Sequence, residues 1–212
     1  MARPRKEDQI DIRQAALEAA LKLAEQQSLD SLSLKDVAAA VGCRTPALYR
    51  YFANKESLLL AIHDEGFKLL YAYKNEAAIN AGDNPLERLR LGGLAYIRFA
   101  LENPALYELM FHLPGPRRAL NERLQENPFS HDDGLRTLSF LQESIRQCQA
   151  AGYLKEIPVE LAAFTLWSSV HGMASLILQG RSPLAPDGEH QNKDPMQLAE
   201  EAVDLIIQRF TE

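Results

Sequence analysis

Between Leu34 and Leu60 the chain reads LKDVAAAVGCRTPALYRYFANKESLLL, a run that admits few folds because it breaks and restarts helix twice within 27 residues. Ser33 can cap the first helix, with Asp36 three positions on as a short-chain version of the acidic partner in a capping box. Val37, Ala38 and Val41 supply the apolar face of a helix about two turns long, and Gly42 provides the permissive backbone that ends it. Thr45 followed by Pro46 suits the next helix start, since the hydroxyl can accept a backbone N–H and proline wastes no hydrogen bond there. The small residues Ala38, Ala39 and Ala40 let the two short helices cross closely. Ala47, Leu48 and Tyr51 or Phe52 can turn inward, which leaves Arg44, Thr45, Pro46, Tyr49 and Arg50 facing out. Asn54 then caps a third helix with Lys55 and Glu56 in its first turn.

Two short helices joined at a tight turn, the second with a polar outer face, make a helix-turn-helix that can lay one helix against base-pair edges. The stretch resembles the N-terminal domain of the TetR family of transcriptional regulators. The family's pattern stands here as Val37-Ala38, Val41-Gly42, Leu48-Tyr49, Tyr51-Phe52, Lys55-Glu56 and Leu58. One position departs from it. The family usually has serine two residues after the turn glycine, where it caps the recognition helix, and this chain has Arg44. The cap is then expected to move to Thr45, starting the helix one residue later and leaving Arg44 for a phosphate or a base edge.

The resemblance implies roles by position. Thr45, Tyr49 and Lys55 match places that touch the phosphate backbone, while Arg44, Pro46 and Arg50 sit where the groove-facing surface falls. Lys55 also has a physical reason to meet a phosphate, because free N–H groups at a helix N-terminus add to its charge. Arg44 is the best candidate for a bidentate contact to guanine, and Pro46 or Ala47 for packing on a thymine methyl. Tyr51 and Phe52 are read as core. The amino-terminal Arg3, Arg5 and Lys6 have the sign expected of an arm near the minor groove or its flanking phosphates, where the resemblance puts it.

Charge is unevenly divided. Residues 1–60 hold nine Lys or Arg against eight Asp or Glu, while residues 61–212 hold fourteen against twenty-one, within a formal net charge of −6. Such a division orients a body away from DNA, and the small positive balance suggests binding through two half-sites. At 212 residues and 46% apolar, the chain can build a sizeable core. No signal peptide is evident and no uninterrupted apolar stretch is expected to span a membrane, so the expected location is the cytosol, with no membrane partner. Cys43 and Cys148 argue for neither a disulfide framework nor a metal cluster. The histidines, His63, His112, His131, His171 and His190, are scattered without metal-ligand spacing. The expectation is therefore no metal, no cofactor and no catalytic residues.

The remaining segments read at helical period: 11–27, 55–80, 85–101, 104–111, 116–125, 131–151, 158–179 and 195–210, with breaks such as Asp83-Asn84-Pro85, Asn103-Pro104 and Gly152. No strand is expected. The fold class is all-α: an N-terminal three-helix helix-turn-helix DNA-binding head (1–54) on a larger helical effector-binding and dimerisation body (55–212). The segment LAAFTLWSSVHGMASLILQG is apolar over most of its circumference and calls for burial on two sides. The final helix, opened by Asp194 and Pro195, carries Ala199, Ala202, Val203, Ile206 and Phe210 on one stripe. Helices 158–179 and 195–210 from two subunits can pair as a four-helix bundle, giving an isologous homodimer suited to a palindromic double-stranded DNA operator.

Trp167, His171 and Gly172 resemble the tryptophan-histidine-glycine signature of one class of TetR-family C-terminal domains, and residues 103–111 resemble its short sixth helix. His171 is open between a hydrogen-bonded core or interface residue and a ligand contact. Gly172 is expected to permit close helix packing. Tyr107, Met110, Phe111, Phe140, Phe164 and Trp167, with His171, are the candidates to line an effector pocket between helices. The family's behaviour implies a small-molecule effector, here apolar or aromatic and uncharged or weakly anionic, that changes the separation of the heads. Repression released by effector is the expected outcome, with activation left open. The rival reading is a helical protein-interaction or scaffold protein of the same fold without operator binding. The tract from Arg181 to Lys193 is expected to be a mobile surface loop.

Overall fold

The computed structural model describes residues 11–24, 26, 31–112, 114–126, 133–181 and 194–211. Among them the secondary structure is helical: α1 (Ile12–Ala24), α2 (Leu34–Val41), α3 (Thr45–Leu48), α4 (Lys55–Ala81), α5 (Pro85–Glu102), α6 (Pro104–Phe111), α7 (Pro114–Glu126), α8 (Asp133–Ala150), α9 (Val159–Leu178) and α10 (Pro195–Thr211). The expected all-α class, with a helix-turn-helix-like head and a larger helical body, is what the fold presents. The described residues divide into two compact units, one within Met1–Gly66 and Ala105–Ser130, the other within Phe67–Pro104 and His131–Glu212. Arg3, Arg5, Lys6 and all of the expected loop except Arg181 lie outside the described residues.

In the first unit, α1 packs on α2 and α3. Ala16, Leu17 and Ala20 of α1 bury fully against a core that includes Val37, Leu48, Phe52, Leu58 and Ile62. The expected use of all three alanines at the α2 crossing is corrected: Ala38 is buried, while Ala39 and Ala40 are exposed. At 100° per residue, a helix of eight residues can turn only part of a consecutive triplet toward one neighbour. Elsewhere in this unit Gly66 of α4 touches Met110 and Leu106 of α6 so closely that a Cβ would collide with their side chains. Asp64 of α4 accepts two hydrogen bonds from Arg123 of α7, at 2.6 and 3.1 Å, with His63 Nδ1 3.4 Å from the same carboxylate. Burial works against the ionised form of Asp64, but these partners overcome it and hold the carboxyl below its ordinary pKa.

In the second unit α5 is the central rod, packing on α8, α9 and α10. Asn84 caps it, its side-chain oxygen accepting from the N–H groups of Leu86 and Glu87, with Pro85 in the first turn. One cluster gathers Leu89, Ile145, Cys148, Leu154, Ala162, Ala163 and Leu166; a second gathers Leu94, Ile97, Ala199 and Val203. Cys43 and Cys148 are free thiols. Burial pushes the Cys148 thiol up to about 11. The expectation that no apolar stretch matches a membrane span is corrected, since α9 is long and apolar enough to cross one, although 22% of its most apolar window is buried within the protein. Ala162, Ala163, Leu166 and Ala174 face the core, while Leu161, Phe164 and Leu176 stand exposed.

Candidate nucleic-acid interface and a pocket in the second unit

The outward surface of the first unit is assembled by its caps. The Ser33 hydroxyl accepts from the Asp36 N–H, and the Asp36 carboxylate accepts from the Ser33 N–H, closing the capping box. The Ser33 hydroxyl also donates to the Asp36 carboxylate, and this bond, with that from the Ser33 N–H, holds the carboxyl below its ordinary pKa. Gly42 ends α2 at φ 75°, in the left-handed region that glycine adopts without strain. The chain then extends through Arg44 and re-enters helix at Thr45.

Here the expected cap is corrected. Arg44, not Thr45, occupies the N-cap position, with extended backbone and no side-chain cap bond, and α3 holds only four residues. A guanidinium carries donors alone, so it cannot accept the free N–H groups of a helix start. The first turn closes instead through the Ala47 N–H on the Arg44 carbonyl, at 2.8 Å. Proline at the second helical position also removes one donor that would otherwise need a partner.

Below this surface Leu48 and Phe52 are buried, and above it Arg44, Pro46, Tyr49 and Arg50 are exposed, with Thr45 and Lys55 partly so. Tyr49 is 56% exposed. Reading Tyr51 as core is corrected: it is 46% exposed while Phe52 is 2% exposed. The Tyr51 and Phe52 N–H groups both bond the Leu48 carbonyl, so the chain leaves α3 in a tight turn in which neighbouring side chains diverge. Asn54 and Ser57 then exchange bonds at the start of α4, the Ser57 N–H reaching the Asn54 side chain at 2.8 Å. Six of the expected DNA-facing residues, Arg44, Thr45, Pro46, Tyr49, Arg50 and Lys55, therefore fall within one short stretch of accessible surface.

The expected effector-lining residues are dispersed. Tyr107 and Met110 are buried and Phe111 half-buried in the first unit. In the second, Phe140 packs edge-on to Tyr71, and Phe164 is 63% exposed. A small pocket of about 40 Å³ opens in the second unit, lined by α4, α5, α8, α9 and α10, and of the seven candidates only Trp167 lines it. The Tyr96 hydroxyl lies 2.9 Å from His171 Nδ1 and accepts from Trp167 Nε1 at 3.4 Å, tying α5 to α9 behind the pocket wall. Among the described residues a Cβ at Gly172 would meet nothing within 4 Å, so the close packing expected of it is not made by them.

Sequence reasoning missed Lys74. It is 6% exposed and is the one charged residue among those lining the pocket. Its ammonium sits 6.0 Å from the centroid of the Tyr96 ring, and burial pulls its pKa down to about 8. The signal was present in α4, where Leu70, Lys74 and Ala77, all buried, share one helical stripe. Among the described residues no group of three or more His, Cys, Asp or Glu side chains is arranged to hold a metal ion.

A capped helix-turn-helix whose short second helix is flanked by exposed Arg44, Tyr49 and Arg50, in one chain with a helical body, fits a class of DNA-binding regulators. The family description "Bacterial regulatory proteins, tetR family" matches residues 16–62, and "Tetracyclin repressor-like, C-terminal domain" matches residues 89–205. The chain belongs to the TetR family of transcriptional regulators. It is 34% identical over 93 residues to an uncharacterized HTH-type transcriptional regulator of Mycobacterium tuberculosis, a match over 42% of this chain and 44% of that one. It is 37% identical over 75 residues to the HTH-type transcriptional repressor ComR of Escherichia coli, a match over 35% of each. The chain thus spans less than half the length of these curated relatives. A solved protein of unknown function from Rhodococcus sp. RHA1 shares the fold across 99% of this chain and 100% of its own, with a TM-score of 0.80 and 22% identity.

Proposed function

We propose that the protein is a ligand-responsive repressor that binds a palindromic double-stranded DNA operator as a homodimer in the cytosol and leaves it when a small effector enters the body. The head, residues 1–54, reads DNA, and residues 55–212 sense and dimerise. Arg44, Pro46 and Arg50 face the major groove; Thr45, Tyr49 and Lys55 hold phosphates; Arg3, Arg5 and Lys6 follow the backbone or the minor groove. The observation that carries this reading is the pairing of exposed Arg44, Pro46, Tyr49 and Arg50 with buried Leu48 and Phe52 directly beneath. Repression rather than activation is favoured by the name of one relative, a transcriptional repressor.

The dimer is supported by large apolar side chains left in water on α9 and α10: Leu161, Phe164, Leu176 and Leu205 are each more than 40% exposed. Exposed apolar groups gathered on two helices mark an association surface. The open space over Gly172 lets a second backbone approach there, and we assign the C-terminal half to the tryptophan-histidine-glycine class on Trp167, His171 and Gly172. Two recognition helices in such a dimer need a separation of roughly 34–36 Å to enter successive major grooves. An effector that fits the body better at another separation drains the DNA-competent population, and DNA weakens effector binding by the same coupling.

The test is titration of the full chain with duplex DNA across a salt series. The expected result is a binding constant whose logarithm falls linearly with the logarithm of salt concentration, as phosphate contacts release counterions. A flat response at low salt would favour the interaction-module reading instead.

A further inference from the structure

The second unit holds a cation in a place that disfavours one. Lys74 is buried to 6% exposure on a stripe with Leu70 and Ala77, and its side chain lines a pocket otherwise walled by groups such as Leu89, Leu166, Trp167, Val170 and Ile206. Among the described residues no carboxylate or carbonyl partners it, and its ammonium faces the Tyr96 ring 6.0 Å from the centroid. The other lining residues carry no charge. A buried ammonium without a counter-ion is costly, and methionine would fill the same stem volume without that cost. The counter-charge is therefore to be sought in what enters the pocket.

We propose that Lys74 anchors the anionic head of the effector, a compact carboxylic acid whose apolar tail lies against Trp167 and the aliphatic wall. This rests on the reading of the second unit as the effector-sensing part. The pocket is small, about 40 Å³, so a short tail is favoured and room must come from a movable wall. Trp167, bonded to Tyr96 at 3.4 Å and tilted against the His171 ring, is 37% exposed and is that wall. Its displacement would stretch the Trp167–Tyr96–His171 chain of contacts between α5 and α9, which gives a bound acid a route to the helices proposed to dimerise.

Trp167 is the chain's only tryptophan, so its emission reports directly on the pocket. The experiment titrates the full chain with butyrate, hexanoate and phenylacetate, each against its matched alcohol, 1-butanol, 1-hexanol and 2-phenylethanol, following Trp167 emission and binding heat. A charge-assisted contact predicts that at least one acid binds about ten- to a hundredfold more tightly than its alcohol. Lys74→Met, checked for folding by its melting curve, should erase that preference and leave acid and alcohol alike. Equal binding of acid and alcohol by the natural chain, binding of neither, or an acid preference that survives Lys74→Met would each overturn the proposal. Duplex DNA titrated alongside separates the two ideas. Acid preference without DNA binding upholds the anchor and sinks the regulator reading, whereas DNA binding with acid and alcohol equal sinks the anchor alone.

Discussion

Arg44 and Lys74 are both cations on or beside helices, yet the protein holds them under opposite conditions. Arg44 is exposed beside a surface whose rigidity comes from Leu48 and Phe52 underneath. Its charge stays hydrated, so it costs the fold almost nothing. Lys74 is enclosed, and the depressed pKa of about 8 records what that enclosure does to its charged form. At the first region the groups proposed to carry function are ones the fold does not need. At the second, a group that weakens the fold is kept, which is the pattern expected when stability is given up for a site.

That contrast fixes the direction of each substitution. The largest effect belongs to the support under the DNA surface: Phe52→Ala should cost about 3–5 kcal/mol in urea unfolding and abolish DNA binding with it. A loss below about 1 kcal/mol would break the link between buried support and exposed surface. Lys74→Met should move stability the other way, raising it by about 3 kcal/mol at neutral pH, the order of the shift from 10.5 to about 8. Because the folded-state pKa lies below the unfolded one, the unfolded chain binds more protons between pH 8 and 10.5, and native stability should climb through that window. The variant should lose the climb; an identical pH profile in both chains would contradict it.

Smaller effects sharpen the DNA side. Arg44→Ala should leave melting unchanged and reduce discrimination at one base pair by about 1–3 kcal/mol, read from competition among operator variants. A loss uniform across sequences would move Arg44 to a phosphate. Tyr49→Phe should weaken all sequences alike by about 1 kcal/mol or less, since only one phenolic hydrogen bond is removed.

Much of the helical fold was legible because its punctuation is chemical. Ser33 with Asp36, Gly42, Asn84-Pro85 and Asn103-Pro104 each mark an end through a cap, a left-handed backbone or a missing N–H, and the helices begin and stop within a few residues of them. The α3 surface was legible for the same reason, being local in sequence. What escaped depended on choices between neighbours. Tyr51 and Phe52 are equally good core residues, and only the turn after Leu48 decides which points inward. The pocket escaped because it joins five helices distant in sequence, and its charged member, Lys74, is followed by Asn75 and Glu76, so nothing local marks it as buried. Aromatic residues were weighed as ligand contacts, whereas the charged member of the pocket is a lysine, with Trp167 the one aromatic candidate beside it.

The central claim is that the surface from Arg44 to Arg50 reads DNA in twofold-related copies. Its most direct test is selection of bound duplexes from a random pool with the full chain, followed by alignment of the recovered sequences. The account predicts an inverted repeat whose half-sites are spaced for two recognition helices, lost when Arg44 and Arg50 are both replaced by alanine. Recovery of sequences with no shared repeat, or of the same repeat by that double variant, would contradict it.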